Sequence, residues 1–166
     1  MRKSSGDTNF DMTTVVIPVC IFAKPPVPGE VKTRVLAVLH PASAADLASA
    51  MLLDTWRTVE FCAGVRPILA TTAPGDFPIA ISPADVWLQG EGDLGRRIER
   101  ILTRALLQAP AAIAVGADSP TLTAAHLAAA LDALKTNDAV LGPSMDGGFY
   151  LLGLRKCRPG LFAALP

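Results

Sequence analysis

Cysteine is scarce in this chain and unpaired in pattern. Its three cysteines, Cys20, Cys62 and Cys157, lie far apart, and no Cys-x-x-Cys occurs. An odd, scattered set argues against a disulfide framework and a structural zinc site, and makes a reducing cytoplasm the expected compartment. Net charge is absent as well: 15 basic residues balance 15 acidic ones. That removes the global basic excess that drives nucleic-acid binding, and there is no polybasic run to hold the chain on an acidic membrane. Long apolar runs are missing too. The stretch from Val15 to Ala23 falls well short of the roughly 20 residues that span a bilayer. It is a poor signal peptide: Asp7 and Asp11 separate it from Arg2 and Lys3, Pro18 interrupts it, and no small-residue cleavage site follows. Residues 1–13 are therefore expected to form a flexible polar leader. The two histidines, His40 and His126, show no metal-ligand spacing. No Gly-x-Ser-x-Gly elbow is present, and Trp56 and Trp87 read as packing residues.

What is present is apolar material in alternating blocks. Apolar residues make up 51% of the 166 residues and charged residues 18%, which excludes a disordered chain and fits one domain with a real core. Val19–Ala23 reads as a buried strand with Pro18 at its entrance. A helix is expected over Ala42–Ala63, with Ser43 as N-cap and Gly64 as its stop. Strands are expected at 67–72, 85–88, 111–116, 139–141 and 149–154. An amphipathic helix should span Leu94–Gln108, and another Thr123–Leu134, capped by Thr121 or Thr123. Such alternation predicts an α/β three-layer sandwich with a mostly parallel sheet, in one domain over residues 14–166.

In open α/β sheets, ligands bind beyond the carboxyl ends of strands. Polar and glycine-rich residues gather just after strands four times here. The first cluster, Lys24 to Arg34, holds three prolines, Gly29, and the cations Lys24, Lys32 and Arg34. Glycine lets backbone approach polyphosphate and the cations balance its charge; the alternative is a proline-stiffened surface loop. The Walker spacing is absent. The second cluster, Gln89 to Arg97, brings Gly90, Gly92 and Gly95 near Asp93. That aspartate either lies near a ligand or caps the following helix. Arg97 either meets phosphate or decorates the helix.

The third cluster is Gly116-Ala117-Asp118-Ser119-Pro120, directly after an apolar strand. A carboxylate there is placed to hold Mg²⁺ or Mn²⁺, which take oxygen ligands from one or two carboxylates and the substrate's phosphates. A helix cap is the alternative. The fourth, Gly142 to Tyr150, contains Asp146-Gly147-Gly148. It reads as a hairpin turn or, with Asp118 in view, as a second carboxylate for metal, acceptor or proton transfer.

Together these segments resemble a known family. The residues are Phe22 to Arg34, Gln-Gly-x-Gly-Asp-Leu-Gly at 89–95, Gly-Ala-Asp-Ser-Pro at 116–120, and Gly-Pro-Ser-Met-Asp-Gly-Gly-Phe-Tyr-Leu-Leu-Gly at 142–153. In this order they look like the selenodomain-associated, glycosyltransferase-like family of the GT-A nucleotide-diphospho-sugar transferase superfamily. They are more distantly similar to 2-phospholactate guanylyltransferase. The resemblance runs from about Val16 to Leu154. It implies a GT-A fold, a nucleotide or nucleotide-sugar donor, a small-molecule acceptor, and Mg²⁺ or Mn²⁺. By motif, Lys24, Gly29, Lys32, Thr33 and Arg34 would meet the donor phosphates, and Gly90, Gly92 and Asp93 the base, ribose or acceptor. Asp118 would bind the metal, with Asp146 completing its shell or acting catalytically alongside Lys32.

Two departures stand out. Gly116 replaces the first carboxylate of the superfamily's Asp-x-Asp signature. Family members usually continue beyond the position of Pro166 into a closing segment with a further Asp-containing loop, on which a second metal ligand and one sheet edge would depend. Glycosyl transfer, nucleotidyl transfer and a catalytically silent nucleotide-binding module all remain open on this reading, as does a homodimer.

Overall fold

The computed structural model describes residues 15–145 and 147–163. Six strands form one sheet: β1 (Ile17–Ala23), β2 (Val65–Thr71), β3 (Val86–Leu88), β4 (Ala112–Gly116), β5 (Ala139–Pro143) and β6 (Phe149–Leu154). Their spatial order is β3-β2-β1-β4-β6-β5. β3, β2, β1 and β4 are mutually parallel, whereas β6 runs antiparallel to both β4 and β5. The carboxyl ends of β1 to β5 therefore share one edge of the sheet.

Three helices cover it: α1 (Pro41–Glu60), α2 (Leu94–Leu106) and α3 (Ala124–Thr136). Strand residues alternate between two buried faces, because successive side chains on a strand point to opposite sides. Ile17, Val19 and Ile21 of β1, with Ile113 and Val115 of β4, pack against Leu52, Trp56 and Val59 of α1 and Leu127 and Leu134 of α3. Cys20, Ile68, Ala112 and Ala114 face the other way, onto Ile98, Ile101, Leu102 and Ala105 of α2. The three expected layers are present, and nearly all the expected elements with them.

The ends of the elements differ in instructive ways. α1 starts at Pro41, not after Ser43: His40 is its N-cap, its Nδ1 accepting the Ala42 N–H at 3.3 Å. Proline fits the first helical position because its missing N–H would be unpaired there anyway. β1 begins at Ile17, so Pro18 lies within the strand; pairing with β4 starts only at Val19. α3 is capped by Thr123, in a reciprocal capping box with His126. His126 also meets Tyr150 edge to face, with ring centroids 5.8 Å apart. Trp87 is a core residue, as expected, with the Arg104 guanidinium 4.0 Å from its ring centroid. No helix among the described residues is long and apolar enough to cross a membrane. The leader, residues 1–13, lies outside the described residues.

Candidate active site

A cleft of about 770 Å³ opens at the carboxyl edge, above β1 and β4. That is within the range of small-molecule sites. Its lining draws on three of the four motif clusters. The first supplies Lys24, Glu30, Val31, Lys32, Thr33 and Arg34, the second Gln89, Leu94 and Arg97, and the third Ala117 and Asp118. Four basic side chains against two carboxylates favour an anionic occupant. Leu94, Val35, Ala48 and Leu52 give the same cleft an apolar wall.

The first loop leaves β1 at Ala23 and closes on itself through short backbone bonds: Val27 N–H to Pro25 O at 2.8 Å and Glu30 N–H to Val27 O at 3.0 Å. Lys32 then takes a left-handed conformation (φ 49°) and leads into a short 3-10 turn, Thr33–Val35. A non-glycine residue there carries some backbone strain, which clusters at ligand sites in proteins generally. That kink sends the Lys32 side chain across the cleft to the next strand end. Its Nζ donates to Asp118 Oδ2 at 3.3 Å. The lysine side chain is 22% exposed and the carboxylate 66%. Residues 86 positions apart in sequence thus meet at one point.

Asp118 rests over Gly116. A Cβ added at Gly116 would stand 2.8 Å from Asp118 Oδ1. The place where the superfamily signature has its first carboxylate is therefore space that the Asp118 carboxylate itself uses. Among the described residues, no group of three or more His, Cys, Asp or Glu side chains could hold a metal unaided. A divalent ion at Asp118 would therefore need further oxygen ligands from a bound molecule, such as its phosphates.

The second loop is held by Gln89, Arg97 and Arg100, of which the sequence singled out only Arg97. Gln89 is only 4% exposed. Its Nε2 donates to Ala70 O at 2.8 Å and more weakly to Ala23 O at 3.4 Å, tying together the ends of β2 and β1. Its main-chain N–H donates to Thr71 O at 2.8 Å. Arg100 donates to the carbonyls of Gln89 and Glu91, the latter at 3.1 Å, and Arg97 Nε donates to Gly92 O at 2.8 Å. Gly90 (φ 74°) lets the Arg100 guanidinium come that close; a Cβ there would meet it at 2.6 Å.

The structure thus gathers Lys24, Lys32, Thr33, Arg34 and Asp118 around one cleft. Gly29, Gly90, Gly92 and Asp93 are not among its lining residues. Asp93 caps α2, its Oδ1 accepting the Arg96 N–H at 2.8 Å. The described residues of the β5–β6 connection follow a strand end on the same sheet edge and are not among the lining residues of this cleft. Ser144 N–H donates to Gly148 O at 3.0 Å and Gly147 N–H to Ser144 O at 3.2 Å, a hairpin turn. Asp146 itself lies outside the described residues. Glu30, not singled out from the sequence, is the cleft's second carboxylate.

Six strands in this order, with a cationic cleft at the carboxyl edge, define a domain of the nucleotide-diphospho-sugar transferase fold. The chain belongs to the family described as an uncharacterized protein conserved in bacteria, DUF2064, whose profile matches residues 55–166. Among solved structures it is similar to a Desulfovibrio desulfuricans G20 protein assigned to the nucleotide-diphospho-sugar transferases. The two are 27% identical with a TM-score of 0.80, over 92% of this chain and 69% of that one. It shares its fold, at 12% identity and a TM-score of 0.51, with the 4-diphosphocytidyl-2C-methyl-D-erythritol synthase of Anaerococcus prevotii, over 90% of this chain and 73% of that one. A further fold relative is Rv0371c of Mycobacterium tuberculosis H37Rv, at 15% identity and a TM-score of 0.51, over 90% and 75% of the two chains. No curated protein matches the sequence.

Proposed function

We propose that the chain is a metal-dependent transferase that takes a nucleotide-sugar or nucleotide donor and passes part of it to a small-molecule acceptor. The observation that carries this reading is the meeting of Lys32 and Asp118 at 3.3 Å across two strand ends, in a cleft that Lys24, Arg34 and Arg97 also line. A diphosphate group suits that charge pattern. The flexible cations Lys24 and Lys32 supply point charge, and Arg34 can hold phosphate oxygens in pairs.

In this reading Asp118 holds Mg²⁺ or Mn²⁺ together with the donor phosphates. The ion would neutralise charge as it builds on the leaving group. Lys32 moves with the phosphates and serves the same end from the protein side. Asp146 stands as acceptor base or further metal ligand. The donor's less polar parts would rest on Leu94, Val35 and Ala48, which also line the cleft.

Sugar transfer is favoured over nucleotidyl transfer by the motif resemblance to the selenodomain-associated glycosyltransferase-like family and by the similarity to the Desulfovibrio protein. The cation-rich first loop is what favours nucleotidyl transfer. Titration with a panel of nucleoside triphosphates and nucleoside-diphosphate sugars, each with and without Mg²⁺ or Mn²⁺, tests the reading, followed by product analysis over a range of acceptors. Metal-dependent donor binding with release of nucleoside diphosphate supports sugar transfer, and release of pyrophosphate supports nucleotidyl transfer. Binding with no turnover over all acceptors would leave a nucleotide-binding module in their place.

A further inference from the structure

The family resemblance gives Lys32 to the donor phosphates and Asp118 to the metal, yet the two side chains pair with each other. We infer that this ion pair is an exchange latch that makes metal and phosphate bind together and each alone bind poorly. The inference rests on the metal-and-phosphate reading of the cleft.

The physical argument is one of competition. A divalent ion approaching Asp118 alone must displace the Lys32 ammonium from Oδ2 and then tolerate an unpaired cation beside it. A diphosphate approaching Lys32 alone must pull the lysine from its carboxylate and leave that charge facing the phosphate. When both arrive, each protein charge changes partner and neither is left unpaired. Two ligands that each remove the other's obstacle bind with positive coupling, and that coupling is reciprocal. The geometry suits such an exchange. The pair is only partly buried and its single contact is long at 3.3 Å, so breaking it costs little. Lys32 also lies in the loop between β1 and the 3-10 turn, outside the sheet, so a change of its side-chain partner need not move a strand.

Two substitutions separate the halves of the latch. Lys32→Met keeps an unbranched side chain at the same φ and removes the competitor. It should tighten Mn²⁺ binding, followed by electron paramagnetic resonance at low salt, by roughly three- to tenfold, while weakening inorganic pyrophosphate. Asp118→Asn should do the reverse, tightening metal-free pyrophosphate in a calorimetric titration by a similar factor and weakening Mn²⁺. Lys24→Met and Arg34→Met remove the same charge from the cleft without freeing Asp118, so they should raise Mn²⁺ affinity less than Lys32→Met does. Glu30→Gln is the matching control for Asp118→Asn.

The crossed pattern, larger than its controls, supports the latch. Equal effects from all three cation variants, or no gain in Mn²⁺ affinity from Lys32→Met, overturn it and leave the metal-and-phosphate reading in place. If the wild-type protein binds neither Mn²⁺ nor pyrophosphate, alone or together, that reading fails and the latch with it.

Discussion

Replacing Gln89 should loosen the very edge of the sheet on which the cleft is built. Its side chain is buried and makes a 2.8 Å bond to Ala70 O and a 3.4 Å bond to Ala23 O. In Gln89→Ala the shorter bond is lost at a net cost of about 1 kcal/mol, and the longer one at a fraction of that. The Ala70 carbonyl, left facing a small void, adds a desolvation cost that entering water partly offsets. The total is about 2 kcal/mol. At roughly 2–4 °C per kcal/mol for a domain of this size, Tm should fall by about 4–8 °C.

Gln89→Glu sharpens the test, because a carboxylate would face two carbonyl oxygens and only its protonated form can donate. Burial and those acceptors raise its native pKa above the unfolded value of about 4.3. The variant's deficit relative to wild type should therefore be smallest below that pH and grow as pH rises toward the raised native value. Urea unfolding followed by circular dichroism, at pH 5 and pH 8, measures both effects as shifts in midpoint at constant slope. A Gln89→Ala protein within about 0.5 kcal/mol of wild type, or a Gln89→Glu protein with the wild-type pH profile, would refute the reasoning.

Other predictions concern the supports around the site. Asp93→Ala removes the N-cap of α2 and should cost about 1 kcal/mol, read by calorimetry as a fall of about 2–4 °C in Tm. Gly116→Ala pushes a methyl toward Asp118 Oδ1, 2.8 Å from where the Cβ would stand, and should weaken metal-dependent donor binding more than it lowers Tm. Burial pushes the Cys20 thiol from its ordinary 9.0 up to about 12, with Arg66 and Arg104 only partly offsetting it. A thiol reagent at pH 8 should spare Cys20 in the native protein and label it in urea. The stability gained by keeping it neutral is complete below pH 9.0 and is lost as pH rises through about 12, so Cys20→Ala should flatten the alkaline part of the stability curve.

The layers and the carboxyl-edge clustering were legible because they are local. Runs such as Ala112 to Val115 carry strand pattern and burial together, and polar segments follow them directly. Lys24, Lys32, Arg34 and Asp118 could be singled out because each follows a strand end, and strand ends of one direction share an edge. In the sequence Gln89 is simply the first residue of a glycine-rich stretch. Its task depends on the carbonyls of Ala23 and Ala70, which no spacing in the sequence reveals. The Lys32–Asp118 contact was hidden for the same reason, since two charges drawn to different ligands give no sign of pairing with each other. The start of α1 differs from the expected one because serine is a common cap, whereas Pro41 at the first helical position makes His40 the cap instead. Asp93 and Arg97 each had two readings, and helix capping and loop anchoring engage them both.

The most direct test of the account is a calorimetric titration of one nucleoside-diphosphate sugar into wild-type and Asp118→Ala protein, with and without Mg²⁺, after circular dichroism shows both folded. The account predicts that Mg²⁺ strengthens binding to the wild-type protein and has no effect on the variant. Equal Mg²⁺-dependent affinity in the two proteins would contradict it.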